Sequence, residues 1–247
     1  MIKRIFSREK NLLCSAVIFC FLGTGVVVQA ADPPIVIDLL SRTSSATPEK
    51  QGFAHTGGGN IDVSQSTADI LTINMTGVAV CGAHPTKNSL ASWDFTLTQE
   101  IDIHPTKKGN QKISVSLEGK LIGLLRSKGG KGLVEVSCPG HATLYKDETA
   151  LLDLTFPGFS VNNGDNKSIN ERRGPTSVVI APGKYTIRQQ FGLRASHPKK
   201  LIPYKAVSAE FAPDPALDPL WISAWEPFHG ASKKDFGFQT ILKVSPE

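Results

Sequence analysis

The sequence predicts an all-β protein, a mostly antiparallel β-sandwich with little or no helix, and three observations carry that prediction. Apolar and polar residues alternate with a period of two over most of the chain beyond residue 57. Gly- and Pro-rich breaks separate the alternating segments. No window of eleven residues or more carries a convincing helical stripe; the nearest, Pro215 to Trp225, is interrupted by Pro219.

Before the first strand stands a segment of another kind. Lys3, Arg4, Arg8 and Lys10 precede an apolar run from Leu12 to Val28, and Val28-Gln29-Ala30 places small residues at the minus-three and minus-one positions. That is the pattern of a cleaved secretory signal over residues 1–30, with cleavage after Ala30. The rival is an uncleaved anchor, since the apolar run sits at the lower edge of a spanning length. After cleavage no membrane span remains, and the expected localisation is exported, either periplasmic or extracellular.

The signal also accounts for the basic balance of the chain. Of 27 basic and 22 acidic residues, four and one fall in residues 1–30, which leaves a net charge of +2. The remaining Lys and Arg are scattered in pairs such as Lys107-Lys108 and Arg172-Arg173 instead of forming one patch, so nucleic acid is not an expected partner. With 40% apolar and 20% charged residues, the composition excludes a disordered, collagenous or multi-span membrane chain.

Residues 31–56 read as one short edge strand around Ile35-Val36-Ile37, then a loose Ser- and Thr-rich connector. Residues 57–247 form the sandwich domain. Its strands are marked by Leu71, Ile73 and Met75; by Trp93, Phe95, Leu97, Ile101 and Ile103; by Ile113, Val115 and Leu117; by Tyr185, Ile187, Phe191 and Leu193; and by Phe236, Phe238, Leu242 and Val244. Turns fall at Gly57 to Asn60, Lys108 to Asn110, Gly129 to Gly132 and Pro182-Gly183. Sandwich domains run near ~100 residues apiece, so two small sandwiches split near 157–175 are the alternative. A weak duplication at an offset of 113 joins Ala68 and His84-Pro85 to Ala181 and His197-Pro198.

Ala181-Pro182-Gly183-Lys184-Tyr185-Thr186 resembles the P-G-x-Y-T opening of a strand in immunoglobulin-like and transthyretin-like extracellular modules. The resemblance covers six residues and implies a sandwich, immunoglobulin-like or jelly-roll-like, without carrying over functional residues.

Two cysteines remain beyond residue 30, each with a histidine three places on: Cys81-Gly82-Ala83-His84 and Cys138-Pro139-Gly140-His141. In an oxidising compartment the leading expectation is a Cys81–Cys138 disulfide, stabilising the fold by roughly 4 kcal/mol in the chain-entropy model. The alternative is metal binding, with Cys81, His84, Cys138 and His141 as four N/S ligands for a tetrahedral zinc ion. Cys138-Pro139-Gly140-His141 also resembles the ligand loop of blue-copper proteins, which implies copper on Cys138 and His141. No Met follows His141 in that loop, a departure from the copper pattern.

G-x-S-x-G, H-E-x-x-H, P-loop and dinucleotide patterns do not occur, so the sequence lends no support to an enzyme. Trp221, Trp225 and Phe228 form the densest aromatic patch, a candidate platform for a carbohydrate or protein partner against the alternative of a core plug. The expected function is an exported binding or structural module without a cofactor; the alternative is a zinc or copper protein.

Overall fold

In the computed structural model the alternating segments form strands, twelve in all among the described residues: β1 (Ile35–Gln51), β2 (Ala54–Thr67), β3 (Ile70–Cys81), β4 (Ser89–Pro105), β5 (Ile113–Arg126) and β6 (Leu133–Lys146). The rest are β7 (Thr149–Thr155), β8 (Ser160–Asn162), β9 (Asn166–Ile180), β10 (Gly183–His197), β11 (Val207–Phe211) and β12 (Gly237–Pro246). The described residues are 35–52, 54–107, 112–127, 132–162, 164–199, 206–212 and 236–247, and none of them is helical. The predicted signal, and Trp221, Trp225 and Phe228, lie outside them.

All pairings are antiparallel, and they build two sheets. The first runs β1-β4-β10-β6-β7, with β8 also beside β6. The second runs from β2 to β3, then β12 and β11, then β5 and β9. β11 and β12 share one strand position end to end. Phe211 faces Gly77 and Phe238 faces Met75 on β3, while Glu210 faces Leu124 and Gly237 faces Ile122 on β5.

The strand order defines the kind of sandwich. Counted along the chain from β3, and with β8 and β11 set aside, the second sheet holds the first, eighth, third and sixth strands, and the first holds the second, seventh, fourth and fifth. That is the double Greek key of a jelly roll, with β1 and β2 added along one edge. The immunoglobulin-like form has a different strand order and is not the arrangement seen. Strands from both sides of residues 157–175 interleave, since β10 lies between β4 and β6 and β12 lies between β3 and β5.

The two inner faces meet in one core. Phe191 at its centre lies 5.9 Å from Phe95, 5.4 Å from Phe211 and 5.7 Å from Phe238, ring centre to ring centre, and Phe156 meets Phe238 edge-on at 5.5 Å. All five rings are fully buried, each a contribution of about 1.5–3 kcal/mol from apolar area alone.

Residues 35–51 depart from the short strand and loose connector expected of them. β1 pairs with β4 along nearly its whole length, from Ile35 opposite Pro105 to Gln51 opposite Leu90. Beyond Ile37 almost every side chain of β1 is exposed, so the strand shows no apolar period. Its order comes from backbone pairing with β4, which leaves no trace in side-chain hydropathy.

Candidate functional site

The predicted disulfide is not formed: Cys81 and Cys138 are both free thiols. Cys81 belongs to the inner face of the second sheet, packed in the core with Ala79 and Met75. Cys138 lies in the first sheet, opposite Gly192 on β10, and points out of the sandwich. Strict alternation from Val134 and Val136 would have aimed it inward. Two bulges around Cys138, beside Pro139 and Gly140, reverse the phase, so the backbone of β6 stands between the two sulfurs.

The metal reading fails on the same geometry. His84 sits in the turn after β3, where the Thr86 amide donates to its Nδ1 at 3.2 Å, and His141 sits on the outer face of β6. Cys81, His84, Cys138 and His141 do not converge, and among the described residues no group of three His, Cys, Asp or Glu side chains could hold a zinc or copper ion. The Cys81 thiol is pushed up to about 12 by burial. Cys138 is also raised, by burial and then by the neighbouring Asp94 carboxylate. Neither thiol is activated as a nucleophile.

What the fold does assemble is a polar surface on the outer face of the first sheet. Register places Ser45, Thr96, Gln190, His141 and Thr155 in one row across β1, β4, β10, β6 and β7. The adjacent row is Thr43, Thr98, Arg188, Thr143 and Asp153 on the same five strands, with Thr143 itself buried beneath its neighbours. Five strands at about 4.8 Å spacing make each row about 19 Å long. Period-two alternation explains the face: in β10 the inward Ile187, Gln189 and Phe191 leave Arg188 and Gln190 pointing out.

Hydrogen bonds hold much of this surface in place. Ser45 and Thr96 meet through their hydroxyls at 2.8 Å. Asp153 accepts from Thr143 at 2.7 Å and Thr155 at 3.1 Å, and meets His141 Nε2 at 2.5 Å. Partial burial pushes the Asp153 carboxyl up, but the bonds from Thr143, His141 and Thr155 outweigh it and hold the group below its ordinary value. Arg188 Nη2 donates to both carboxylate oxygens of Glu148, at 2.8 and 2.9 Å, and the guanidinium lies over the Tyr145 ring, 4.7 Å from its centre.

His141, Thr143 and Asp153 do not form a nucleophilic relay. A relay places the hydroxyl and the carboxylate on opposite ring nitrogens. Here Thr143 Oγ1 and Asp153 Oδ1 both meet Nε2, at 3.0 and 2.5 Å. The cluster presents donors and acceptors in a fixed pattern instead.

Beyond these rows the surface changes character at Gly192. A Cβ there would come within 2.8 Å of Asp94 Oδ1, Cys138 Cβ and Ser137 Oγ, so only glycine lets these side chains close over the strand. Of the ten row residues, sequence reading singles out His141 alone, and for another role. The others are Thr, Ser, Gln, Arg and Asp from separate strands, and only the register brings them together.

No protein-family model matches the chain, and no curated protein matches it. Among solved structures it is similar to the enzymatically active domain of tailspike protein 4 of bacteriophage CBA120, at 11% identity over 71% of this chain and 19% of that one, with a TM-score of 0.15. It is also similar to TmCBM61 in complex with β-1,4-galactotriose, at 10% identity over 61% of this chain and 88% of that one, with a TM-score of 0.15. A third is the GH31 α-xylosidase from Xanthomonas citri, at 9% identity over 85% of this chain and 28% of that one, with a TM-score of 0.18. The chain thus spans about a fifth of the tailspike chain. TM-scores this low leave the strand order as the ground for the fold.

Proposed function

We propose that the protein is an exported, non-enzymatic binding module that takes a polyhydroxylated ligand, carbohydrate in its chemistry, on the outer face of the first sheet. The observation that carries this reading is the pair of in-register rows from Ser45 to Thr155 and from Thr43 to Asp153. A chain of hydroxyl groups needs closely spaced donors and acceptors, and hydroxyl, amide, imidazole, guanidinium and carboxylate groups supply both. Fixing them on strands lowers the ordering cost of binding. The signal-like pattern of residues 1–30 supports export.

Titration of the full chain with neutral oligosaccharides, followed by NMR of backbone amides, tests the site. Saturable shifts centred on Thr96, Gln190 and His141 are expected. Gln190→Ala and His141→Ala should each weaken binding by about three- to tenfold, the worth of one or two hydrogen bonds. Binding centred on another face, or unchanged in both variants, would discard the proposal. For export, N-terminal sequencing of protein recovered outside the cytoplasm should begin at Ala31.

A further inference from the structure

The outer face of the first sheet has a gap in its pattern of side chains at Gly192 on β10, and polar atoms from both neighbouring strands turn toward it. We propose that Gly192 marks the seat of the ligand's anchoring sugar, a neutral ring whose two adjacent hydroxyl groups donate to the Asp94 carboxylate while Ser137 and Gln190 bond its other oxygens. The proposal rests on the carbohydrate reading of this face and adds to it the anchor and the charge of the ligand.

The first observation is convergence. Asp94 on β4 and Cys138 on β6 stand opposite Gly192 from its two sides. The point where a Cβ of residue 192 would lie is 2.8 Å from Asp94 Oδ1, 2.8 Å from Ser137 Oγ and 2.8 Å from Cys138 Cβ. Ser137 reaches this point because the bulges of β6 set two consecutive side chains on the outer face, above the buried Val136. Gln190, exposed on the same face, lies two residues back along β10, roughly 7 Å away.

The second observation is unmet bonding capacity. Ser45 with Thr96, and His141 with Thr143, Asp153 and Thr155, are already bonded among themselves. By contrast, the side chains of Asp94, Ser137 and Gln190 make no hydrogen bond or ion pair with any other residue. The Asp94 carboxyl is held above its ordinary value, first by partial burial and then by the charge of Glu49. Both causes disfavour the ionised form, and hydroxyl donors from a ligand would offset them.

A glycine beside two bulges is ordinary sheet structure. Bulges alone do not call for a carboxylate and a hydroxyl from the two flanking strands, each without a partner.

Chemistry and charge set the ligand class. A carboxylate accepts from two neighbouring hydroxyls at once, and such charge-assisted bonds are about twice as strong as neutral ones. Cys138 adds a small apolar surface for the C–H groups of a ring. In the next row Glu49, Arg194 and Glu135 share this face, and Arg194 is matched by Glu135 at 3.7 Å. Asp94 and Glu49 therefore leave negative charge in excess around Gly192, which selects against acidic sugars.

The test titrates the full chain with maltotetraose, cellotetraose and mannotetraose in turn, and with tetragalacturonate as the acidic counterpart, following backbone amides by NMR. The tightest neutral probe should shift Gly192, Asp94 and Ser137 saturably together with Gln190. Asp94→Asn, which keeps the shape of the side chain, should weaken its binding by about tenfold, and Ser137→Ala by about threefold. Tetragalacturonate should bind the parent more weakly by about tenfold or more, and Asp94→Asn should narrow that gap. Saturation with the tightest neutral probe should also slow alkylation of Cys138 in the parent. Saturable shifts on this face that stop short of Gly192, undiminished binding by Asp94→Asn, or tighter binding of tetragalacturonate would overturn the anchor and leave the carbohydrate reading standing. No saturable binding of any probe would overturn both. Because the shifts and the Cys138 protection of the unmodified chain locate the seat by themselves, a variant that failed to fold would not blunt the test.

Discussion

Thr240 on β12 donates its hydroxyl to Gln189 Oε1 on β10, joining the two sheets through the middle of the core. Both side chains are fully buried. Gln189 Nε2 in turn reaches the Phe238 carbonyl at 3.5 Å. Each residue occupies a phase its neighbours fill with apolar side chains, Ile187 and Phe191 on one strand and Phe238 and Leu242 on the other.

A strut of this kind predicts strong coupling between the two positions. Gln189→Leu strands the Thr240 hydroxyl, and Thr240→Val strands the Gln189 carbonyl oxygen, so each single change should cost about 1–3 kcal/mol. Replacing both removes the unmet groups together, and Gln189→Leu/Thr240→Val should recover most of that loss. Urea unfolding of the four proteins measures the cycle. Simple additivity of the two losses would show that the bond contributes nothing beyond its parts.

Much of the sandwich was readable before the structure because one face of each central strand is buried. Leu71 to Met75, Trp93 to Ile103 and Tyr185 to Leu193 alternate for that reason, and all lie in strands of the core. β1 and most of β9 escape the same reading, since they are edge strands exposed on both faces and their order resides in backbone pairing. The jelly-roll order and the union of β11 with β12 depend on contacts between segments far apart in sequence, which local periodicity does not encode. Alternation from Val134 and Val136 aims Cys138 inward, and the bulges beside Pro139 and Gly140 send it the other way. The polar rows combine unexceptional residues from five strands, so no single stretch of sequence announces them.

The positions of the two thiols predict unequal reactivity. With its thiol pushed up to about 12 and no exposed surface, Cys81 should resist alkylation near neutral pH until the protein unfolds. Cys138, half-buried on the outer face, should react slowly in the native state. Cys81→Ser places a hydroxyl in an apolar core and should cost about 1–3 kcal/mol, whereas Cys138→Ser should stay within about 0.5 kcal/mol. Mass spectrometry after alkylation without reduction checks the first part. Both residues protected as a linked pair would contradict it.

Trp93 offers a test of an unmet donor. Its ring stacks on Phe95 at 6.0 Å, but its Nε1 is buried without an acceptor. Trp93→Phe removes that N–H while keeping an aromatic ring, so relief of the unmet donor should offset much of the lost packing. The variant should lie within about 1 kcal/mol of the parent, against about 3–5 kcal/mol for Trp93→Ala. A Phe variant as unstable as the Ala variant would mean that the indole N–H is satisfied in solution.

The start of β1 responds to pH through an imidazole on its neighbour β4. His104 Nε2 on β4 meets Asp38 Oδ2 on β1 at 2.8 Å, and its Nδ1 lies 3.3 Å from the Pro105 carbonyl. The bond to Asp38 raises the imidazole above its ordinary value, the Pro105 carbonyl adds to that, partial burial opposes it, and the charges of Asp38 and Asp102 add the rest. A raised value in the folded state means that folding favours the protonated ring. Its contribution is therefore fully present below the unfolded value near ~6.5 and is lost as pH rises through the folded one. With 40% of the imidazole and 63% of the carboxylate side chain exposed, solvent screening limits the effect to about 0.5 kcal/mol. The stability difference between the parent and Asp38→Asn should fall toward zero from pH 6 to pH 8, and should shrink with added salt. His104 should titrate above the ordinary imidazole value near ~6.5 by NMR in the parent and return toward it in Asp38→Asn. An unchanged His104 titration in that variant would show that Asp38 does not set the charge of this ring.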